Sequence, residues 1–342
     1  EQVSSYKYVG ATFSSDMPMF NENVNNMISS SSRACFKVFF YCKSIGQTPP
    51  VLALKLFNSL VEPILTYSAE IWYPLISLKL KESLDKFKLK YIKSVLRVKQ
   101  QTSTLAVLGE VGQYPLQIKI ITKAIKYWIR ITNLPDSSIV KQMYLSQLAL
   151  HKLGHHTWVS DIRNILLNAQ LADIWDLEVP SLGISKHIRN HMELLYRNQW
   201  NDEVNDSVKN PILRLYKNIK INFAPELYLK INISKYRIAL SKLRLSSHHL
   251  AIETGRYTRP KTPAHLRYCT FCSGNVVDDE VHFLIRCKKY DTLRNRMFNA
   301  INHSLPHSFD TYQDSAKFSA LLGNDNIDVL MCVAKFVYNA WK

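Results

Sequence analysis

Hydrophobic residues along most of the chain recur every three or four positions, the spacing that places them on one face of a helix. The segments with this spacing are residues 21–45, 51–72, 80–97, 116–131, 290–301 and 325–341. Pro63 falls inside the second segment and should kink or divide it. The positions of that segment that we expect to face inward are Leu52, Leu56, Leu60, Ile64 and Ile71. The pattern predicts a mainly helical fold.

The first residues follow a different pattern. Residues 6–13, YKYVGATF, alternate as a strand does, with Gly10 placed for a bulge or a close backbone approach. A strand needs a partner, and no matching run follows it in the sequence. Its partner is then either a distant piece of this chain or a strand upstream of it. We favour the second, and we interpret the chain as a fragment of a longer protein.

The charge of the chain narrows the class of partner. The formal net charge is +17, from 44 Lys and Arg against 27 Asp and Glu. An excess of this size is typical of proteins that bind polyanions, with nucleic acid as the first candidate and an anionic membrane surface as the second. No run of about 18 uncharged apolar residues occurs, so we expect no membrane-spanning segment and an intracellular location. A glycine-rich phosphate loop is also missing.

Two of the predicted helices carry basic residues at intervals of 4, 3 and 4. The first set is Lys86, Lys90, Lys93 and Arg97, opposite an apolar face of Leu84, Phe87, Tyr91 and Val95. The second set is Lys119, Lys123, Lys126 and Arg130, opposite Ile121, Ala124, Ile125 and Trp128. Because residues three and four apart share a helix face, each set forms one stripe. Stripes of one sign favour contact with phosphates, and an ordinary solvated face is the alternative.

A cluster of metal-ligand residues lies near the end of the chain. Cys269, Cys272, His282 and Cys287 are spaced C-x2-C-x9-H-x4-C. Thiolates and imidazole in two tight pairs are the ligands that tetrahedral zinc requires, so we predict a structural Zn²⁺ site. The other cysteines, Cys35, Cys42 and Cys332, are scattered and have no such spacing.

The surroundings of this zinc module have two interpretations. Aromatics that stack bases and basic residues that hold phosphates favour single-stranded nucleic acid. The aromatics are Phe271 and Phe283, and the basic approach is Arg256, Arg259, Lys261 and Arg267, with Arg286, Lys288, Lys289, Arg294 and Arg296 beyond it. Against contact, Asp278, Asp279 and Glu280 would repel phosphate. A purely structural zinc and a zinc module that also contacts nucleic acid both stay open, with any contact expected on the flanking arginines.

Residues for catalysis are harder to find. A polymerase needs carboxylates that hold a metal pair, in a tight hairpin between hydrophobic strands. The acidic runs are Asp202–Glu203 and residues 278–280, and neither has strand flanks. Glu110 is expected to form a local ion pair, and Trp158, Trp175 and Trp200 to anchor the core. The sequence therefore offers no convincing active site.

Several stretches resemble a known family. YKYVGATFS at the start, LFNSLVEPILTYSAEIW at 56–72, TLAVLGEVGQYPLQIKI at 104–120 and the segment 244–294 with the C-x2-C-x9-H-x4-C module are similar to the C-terminal part of a non-LTR (LINE-type) retrotransposon reverse transcriptase. The resemblance implies a helical thumb-like bundle and helical connector, a short N-terminal β element and a small zinc-knuckle module. The implied regions are 1–45 (end of the palm and first helix), 46–135 (thumb), 136–255 (connector), 256–300 (arginine-rich approach and knuckle) and 301–342 (helical tail).

The resemblance also implies a role. The parent family is an RNA-directed DNA polymerase, whose catalytic aspartates and endonuclease would lie upstream and are absent here. The chain is then expected to hold template RNA or target DNA during target-primed reverse transcription, in the nucleus, without polymerising on its own. Its partners would be nucleic acid and the upstream polymerase and endonuclease parts. The alternative is a free-standing, element-derived interaction protein with a structural zinc and protein partners.

Overall fold

The computed structural model describes residues 3–16, 18–44, 48–177 and 179–342, and these are mainly helical. The elements are β1 (Ser5–Tyr8), β2 (Ala11–Ser14), α1 (Asn21–Ser44), α2 (Pro50–Leu56), α3 (Glu62–Leu65), α4 (Ala69–Trp72), α5 (Leu78–Leu96), α6 (Thr104–Val111), α7 (Leu116–Thr132), α8 (Ile139–Lys152), α9 (Trp158–Asn168), α10 (Ala172–Trp175), α11 (Ser185–Asn205), α12 (Tyr216–Ile219), α13 (Ser234–Arg244), α14 (Ala251–Thr254), α15 (Asp291–Ile301), α16 (Asp314–Leu322) and α17 (Ile327–Ala340). Two π-helical turns, Phe57–Val61 and His282–Arg286, and several 3₁₀ turns complete the described part.

The predicted helices at 21–45, 80–97, 116–131, 290–301 and 325–341 are confirmed by α1, α5, α7, α15 and α17. Position 45 lies outside the described residues. Among the helices that the structure describes, none has the length and apolarity to cross a bilayer.

The chain divides into two compact units, each built from three separated segments. Unit one comprises residues 1–41, 55–89 and 114–200, and unit two comprises residues 42–54, 90–113 and 201–342. The five consecutive regions that the sequence suggested stay a prediction, because the units follow contacts and not chain order.

The N-terminal stretch is a hairpin and not one strand. β1 and β2 pair antiparallel, with Tyr6 opposite Phe13, and Val9 and Gly10 form a two-residue turn with φ of 45° and 87°. Positive φ at both central residues suits the twist of a hairpin. The phenol of Tyr67 donates to the Val9 carbonyl at 2.8 Å and fixes this turn. The prediction of one strand without a partner nearby in the sequence is therefore wrong, since the stretch pairs with itself. The expectation of further strands upstream stays a prediction.

The segment around Pro63 is divided, as predicted, into α2, a π-helical turn, α3 and α4. Its inward face is shifted by one position. Leu52 and Leu60, expected inside, are exposed, and the buried residues are Ala53, Leu54, Phe57, Val61 and Leu65. The segment is apolar on two adjacent faces, so helical spacing alone could not choose between them.

The core of unit one forms where α7, α9 and α11 pack together. Trp128 and Val159 are fully buried there, and the Trp175 indole stacks on Trp128 at 5.6 Å. Trp158 is half-buried against the same cluster. These tryptophans anchor the core, as expected, and Trp200 is buried as well.

In unit two, α17 packs against α13 and α15. The inner face of α17 consists of Val329, Val333, Phe336 and Val337, which are all buried. Trp341, after the end of α17, stacks on Phe283 at 5.5 Å between ring centroids. Because Phe283 follows His282 directly, this packing ties the Cys/His module to the helices of the unit.

A buried polar cluster joins distant parts of unit two. Glu110, on α6, accepts hydrogen bonds from Arg244 Nε at 2.5 Å and from the Tyr216 hydroxyl at 3.2 Å. Arg244 also donates to Glu226, which pairs with Lys220. The expectation of a local ion pair for Glu110 is wrong, since its partner Arg244 lies 134 residues along the chain.

Candidate metal centre and its basic surroundings

The four predicted metal ligands come together in unit two. The ligand atoms of Cys269, Cys272, His282 and Cys287 all lie within 4.8 Å of one another. Cys287 Sγ is 3.9 Å from Cys269 Sγ and 3.8 Å from Cys272 Sγ. Two sulfurs bound to one zinc at about 2.3 Å in a tetrahedron are separated by about 3.8 Å. The cluster is therefore compatible with a metal site.

A tight reversal of the backbone presents the first two ligands. Tyr268 and Val277 form an isolated antiparallel bridge, and the Cys269 amide donates to the Val276 carbonyl at 2.8 Å. Between these points the chain turns at Gly274 and Asn275, whose φ values are 92° and 55°. Glycine and asparagine tolerate this left-handed conformation best, so the local sequence itself favours the turn.

The second pair is set by a π-helical turn. The Cys287 amide donates to the His282 carbonyl at 2.7 Å, which is an i to i+5 hydrogen bond. The H-x4-C spacing is thus the length of one such turn. It brings the imidazole of His282 and the thiol of Cys287 to the same side, facing the first pair.

His282 gives an independent test of fit for a metal. The residue is buried, and neither ring nitrogen has a hydrogen-bond partner among the described residues. A buried unsatisfied polar group costs about 1–3 kcal/mol. Burial lowers the pKa of His282, which favours the neutral imidazole that ligates metals. A metal ion bound by the cluster would satisfy one of these nitrogens.

Two of the arginines around the module are internal supports. Arg294 is buried and donates to the carbonyls of Leu284 at 2.9 Å and Cys287 at 2.7 Å. Arg267 is also buried, and its guanidinium donates to the carbonyls of Ile252 and Thr262. The expectation that Arg267 belongs to an exposed basic approach is therefore wrong, because its buried guanidinium binds α14 and the loop at Thr262.

The acidic run between the ligand pairs is engaged with the protein. Asp278 accepts from the Ala251 amide at 2.8 Å, and Asp279 accepts from the His282 amide at 2.8 Å. Glu280 is buried and accepts from Arg214 at 2.8 Å, beside Ser246 and His248 at 3.2 Å each. These carboxylates cap amides and pair with internal cations, which weakens the expected repulsion of phosphate.

Other side chains of the module face solvent. Arg259 and Lys261 are exposed and have no ion-pair partner among the described residues, whereas Arg256 pairs with Glu253 at 3.2 Å. Lys288 and Lys289 are exposed as well, while Arg286 pairs with Asp314. The two aromatics differ, since Phe271 is 61 % exposed and Phe283 is fully buried. Of the two, only Phe271 is available to a ligand.

The first basic stripe is broken in the structure. Lys90 is exposed on α5, and Lys86 is exposed but pairs with Glu82 at 2.9 Å. Lys93 is only 5 % exposed, and its ammonium donates to the Gln100 carbonyl at 2.7 Å. The prediction that Lys93 shares a surface stripe is wrong, because its ammonium holds the chain just after α5. Arg97 follows the end of α5, in a left-handed conformation with φ of 58°.

The second stripe, on α7, is half neutralised. Lys119 pairs with Glu62, and Lys123 donates to the Thr66 carbonyl at 2.8 Å with Glu70 at 3.7 Å. Lys126 and Arg130 keep no ion-pair partner among the described residues. Reasoning from the sequence missed Glu62, which is buried and also binds the buried Lys88 at 3.2 Å. A glutamate within an apolar stretch was the available signal.

Three histidines outside the cluster, His151, His156 and His248, have partners within the protein. His151 lies 2.9 Å from the Ser160 hydroxyl, and His156 lies 3.1 Å from Asp161. His248 is buried against Glu280.

No family model, no curated protein and no solved structure matches the chain. The geometry of the four-ligand cluster and the resemblance of the sequence are therefore the two indications of function.

Proposed function

We propose that the four-ligand cluster binds a structural zinc ion and that unit two holds nucleic acid, as the C-terminal region of a non-LTR retrotransposon reverse transcriptase does. The main support for the proposal is the distribution of charge around the zinc module, where acidic side chains bind internal groups and basic side chains face solvent. The acidic side chains of residues 278–280 are engaged internally, while Arg259, Lys261 and Phe271 face solvent.

The donor set supports zinc. Three thiolates and one imidazole are soft and borderline ligands, typical of closed structural zinc sites. Zinc would cross-link the turn that carries Cys269 and Cys272 to the π-helical turn between His282 and Cys287. The small module has few buried apolar residues of its own, so such a link would stabilise it directly.

The distribution of charge supports a polyanionic ligand. Unit two contains 26 of the 44 Lys and Arg but only 14 of the 27 Asp and Glu, so it carries +12 of the +17 charge. Several of these cations are bound inside the unit, as Arg244 is to Glu110 and Arg267 is to backbone carbonyls. Exposed cations and an exposed aromatic within one module suit a single strand, whose phosphates and bases are both accessible.

The resemblance supplies the remainder of the proposal. The ligand would be template RNA or target DNA, in the nucleus, and the upstream polymerase and endonuclease parts would be partners. By the same resemblance the chain would not polymerise on its own, because the catalytic aspartates would lie upstream of it. Asp202 is exposed on α11, and the run at 278–280 supports the zinc module.

The test is binding of labelled single-stranded RNA, single-stranded DNA and duplex by the full chain at several salt concentrations. We expect log K to fall with log salt, by about 0.7 per phosphate contact on single strands and 0.9 on duplex. The double variant Arg259→Gln/Lys261→Gln should reduce that slope by about one to two contacts. The matched control, Lys152→Gln/Lys186→Gln, removes two exposed charges from unit one and should not.

Two results would contradict the proposal. A flat salt response would favour the alternative, an interaction protein with protein partners. Equal losses in the double variant and in its control would show that net charge, and not a site at the zinc module, attracts the nucleic acid.

A further inference from the structure

A polar cavity of about 610 Å³ lies within unit one. It is bounded by the β1–β2 hairpin, by the first half of α1 and by the chain from α3 to Tyr67. Sites for small ligands typically measure about 300–1,000 Å³. The cavity is therefore large enough for a small organic ligand.

Two hydrogen bonds hold the three walls of the cavity together. The Thr12 amide, on β2, donates to Asn23 Oδ1 on α1 at 3.0 Å, and the Tyr67 hydroxyl donates to the Val9 carbonyl in the hairpin turn at 2.8 Å. A Cβ on Gly10 would lie 3.1 Å from Cε1 of Tyr67, so the ring lies directly against the hairpin. Because the walls are already joined, a ligand would enter a preformed site, which keeps the cost of ordering low.

The charged side chains that line the cavity are both cations. Lys7 and Arg33 are exposed, and neither has an ion-pair partner among the described residues. Arg33 donates a hydrogen bond to the Ser30 hydroxyl at 2.9 Å, and the hydroxyl of Ser29 also lines the cavity. Two cations beside neutral hydroxyls suit an anion, and a guanidinium can donate to two oxygens of one phosphate.

None of the described residues that line the cavity is acidic, and two carboxylates on its third wall are already engaged. Glu62 is buried and pairs with Lys88 and Lys119. Glu70 lies 3.7 Å from Lys123. Neither carboxylate is therefore left to neutralise Lys7 or Arg33.

The remaining acidic residues lie near the start of α1. Asp16 precedes the helix and Glu22 is in its first turn, and both are exposed. A rise of 1.5 Å per residue places Arg33 about 16 Å beyond Glu22 along the helix axis. Lys37 is exposed one turn after Arg33, on the same face of α1. The end of the cavity at Arg33 is therefore its positive end.

The end nearer the start of α1 offers amide groups. Asn23 is only 1 % exposed, and its amide nitrogen has one acceptor, Met27 Sδ at 3.7 Å, which is a weak one. The side chain of Asn26 is exposed and has no partner among the described residues. Tyr67 and Ile64 add an aromatic ring and an aliphatic side chain to the lining. Amides that donate and accept, beside apolar surface, suit an aromatic ring with polar atoms at its edge.

We propose that this cavity binds a small phosphate monoester with an aromatic body, the class to which mononucleotides belong. Arg33 and Lys7 hold the phosphate, with the hydroxyl of Ser29 as a further donor. The Asn26 amide binds the edge of the ring, whose face lies against Tyr67. The site belongs to unit one, so it does not depend on zinc or on the nucleic-acid binding proposed for unit two.

The test is calorimetric titration of the full chain with adenosine monophosphate, and with inorganic phosphate, adenosine and acetate as comparison ligands. The variants are Arg33→Gln, Lys7→Gln and Asn26→Ala. The matched control is Lys152→Gln, which removes an exposed cation of unit one, on α8, that does not line the cavity. Thermal unfolding confirms that each variant is folded.

We expect adenosine monophosphate to bind more tightly than inorganic phosphate, and adenosine and acetate to bind most weakly. Arg33→Gln should weaken both phosphate-bearing ligands at least tenfold, and Lys7→Gln at least threefold, because each removes a charge-assisted contact. Asn26→Ala should weaken adenosine monophosphate about fivefold, the value of one hydrogen bond, and leave inorganic phosphate unchanged. Lys152→Gln should change neither.

Other results would overturn the proposal. Absence of saturable binding of adenosine monophosphate would remove the site, and equal losses in Arg33→Gln and Lys152→Gln would show that net charge alone attracts the ligand. Acetate binding as tight as that of phosphate would assign the cavity to carboxylates. Loss of binding in the Arg259→Gln/Lys261→Gln variant would place the site in unit two. Displacement of adenosine monophosphate by a far lower concentration of a single-stranded oligonucleotide would assign the cavity to the phosphates of a strand.

Discussion

Arg244 donates a hydrogen bond from Nε to Oε1 of Glu110 at 2.5 Å, although both side chains are completely buried. The same guanidinium contacts Glu226 and the Leu322 carbonyl, and it lies 5.2 Å from the centre of the Tyr228 ring. A buried charge with several partners is costly to leave alone, because desolvation is no longer offset when one partner is lost. We therefore expect the loss of either partner of this pair to destabilise unit two.

Replacing Arg244 with Met should lower the free energy of unfolding of the protein by about 3–5 kcal/mol, since Glu110 would be left buried without its cation. Denaturant titration measures the change. Arg296→Met, at an exposed position of α15, is the control and should change it by less than about 0.5 kcal/mol. Similar values for the two variants would show that the buried pair contributes nothing particular.

Glu62 gives the stability a defined pH dependence. Burial raises the pKa of Glu62, but the charges of Lys88 and Lys119 outweigh burial and leave that pKa below its usual value. A carboxyl with a lowered folded-state pKa stabilises the protein above its unfolded pKa of about 4.3, and the contribution is lost as the pH falls through the folded value.

Glu62→Gln should therefore cost about 3–5 kcal/mol near neutral pH, and the difference from the unaltered protein should shrink as the pH falls below about 4. Urea unfolding between pH 7 and pH 3 measures it. Glu82→Gln, at an exposed pair with Lys86, should cost less than about 1 kcal/mol at every pH. A cost for Glu62→Gln that does not change with pH would contradict the ion-pair explanation.

Substitutions at Gly112 and Gly154 can distinguish the cost of backbone strain from the cost of a steric clash. Both have positive φ, 60° and 91°, but a Cβ on Gly112 would lie 2.6 Å from Cδ of Pro225, whereas a Cβ on Gly154 would meet nothing within 4 Å. Gly154→Ala should cost about 1–2 kcal/mol from strain alone. Gly112→Ala should cost more, because the chain near Pro225 must also move, and comparison of the two unfolding curves tests this.

Removing a metal ligand should open the module. A structural zinc provides on the order of 10 kcal/mol of apparent binding free energy, so Cys272→Ser should lose the metal and make residues 256–300 sensitive to protease. Metal content and limited digestion measure both effects. Cys332→Ser, at a free cysteine outside the cluster, should keep both properties. An unchanged digestion pattern in Cys272→Ser would count against a bound metal.

Variants of the two aromatics of the module should affect different properties, stability for Phe283 and nucleic-acid binding for Phe271. Phe283 is fully buried and packs on Trp341 and Phe336, so Phe283→Ala should cost about 3–5 kcal/mol. Phe271→Ala should leave stability within about 0.5 kcal/mol and should weaken single-strand binding by about 1–3 kcal/mol. Denaturation and anisotropy measure the two effects. Unchanged single-strand binding in Phe271→Ala would remove the stacking role.

The features that the sequence predicted well depend on nearby residues. Helical spacing located α5 and α7, and the ligand spacing located a cluster whose four members lie within a single short segment. The H-x4-C pair is one π-helical turn, which is a local structure. The interruption near Pro63 was predicted from the proline itself, which is also a local feature.

The features that it predicted poorly depend on distant residues. Lys93 and Arg267 have the spacing and charge of surface cations, yet each is buried by partners that helical periodicity does not include. Glu110 pairs with Arg244, which is distant in the sequence, and Glu62 pairs with both Lys88 and Lys119. A charged residue shows its type in the sequence, whereas its partner depends on tertiary packing.

The interleaving of unit two limits how the protein can be shortened. A piece that began at residue 201 would keep all four metal ligands, Arg244 and α17, but it would lose segments 42–54 and 90–113 of unit two. Glu110 would leave with the second of these, so Arg244 would be buried with only Glu226 as its counter-ion. The four metal ligands lie in one short stretch of sequence, but the unit that contains them also needs segments from the first third of the chain.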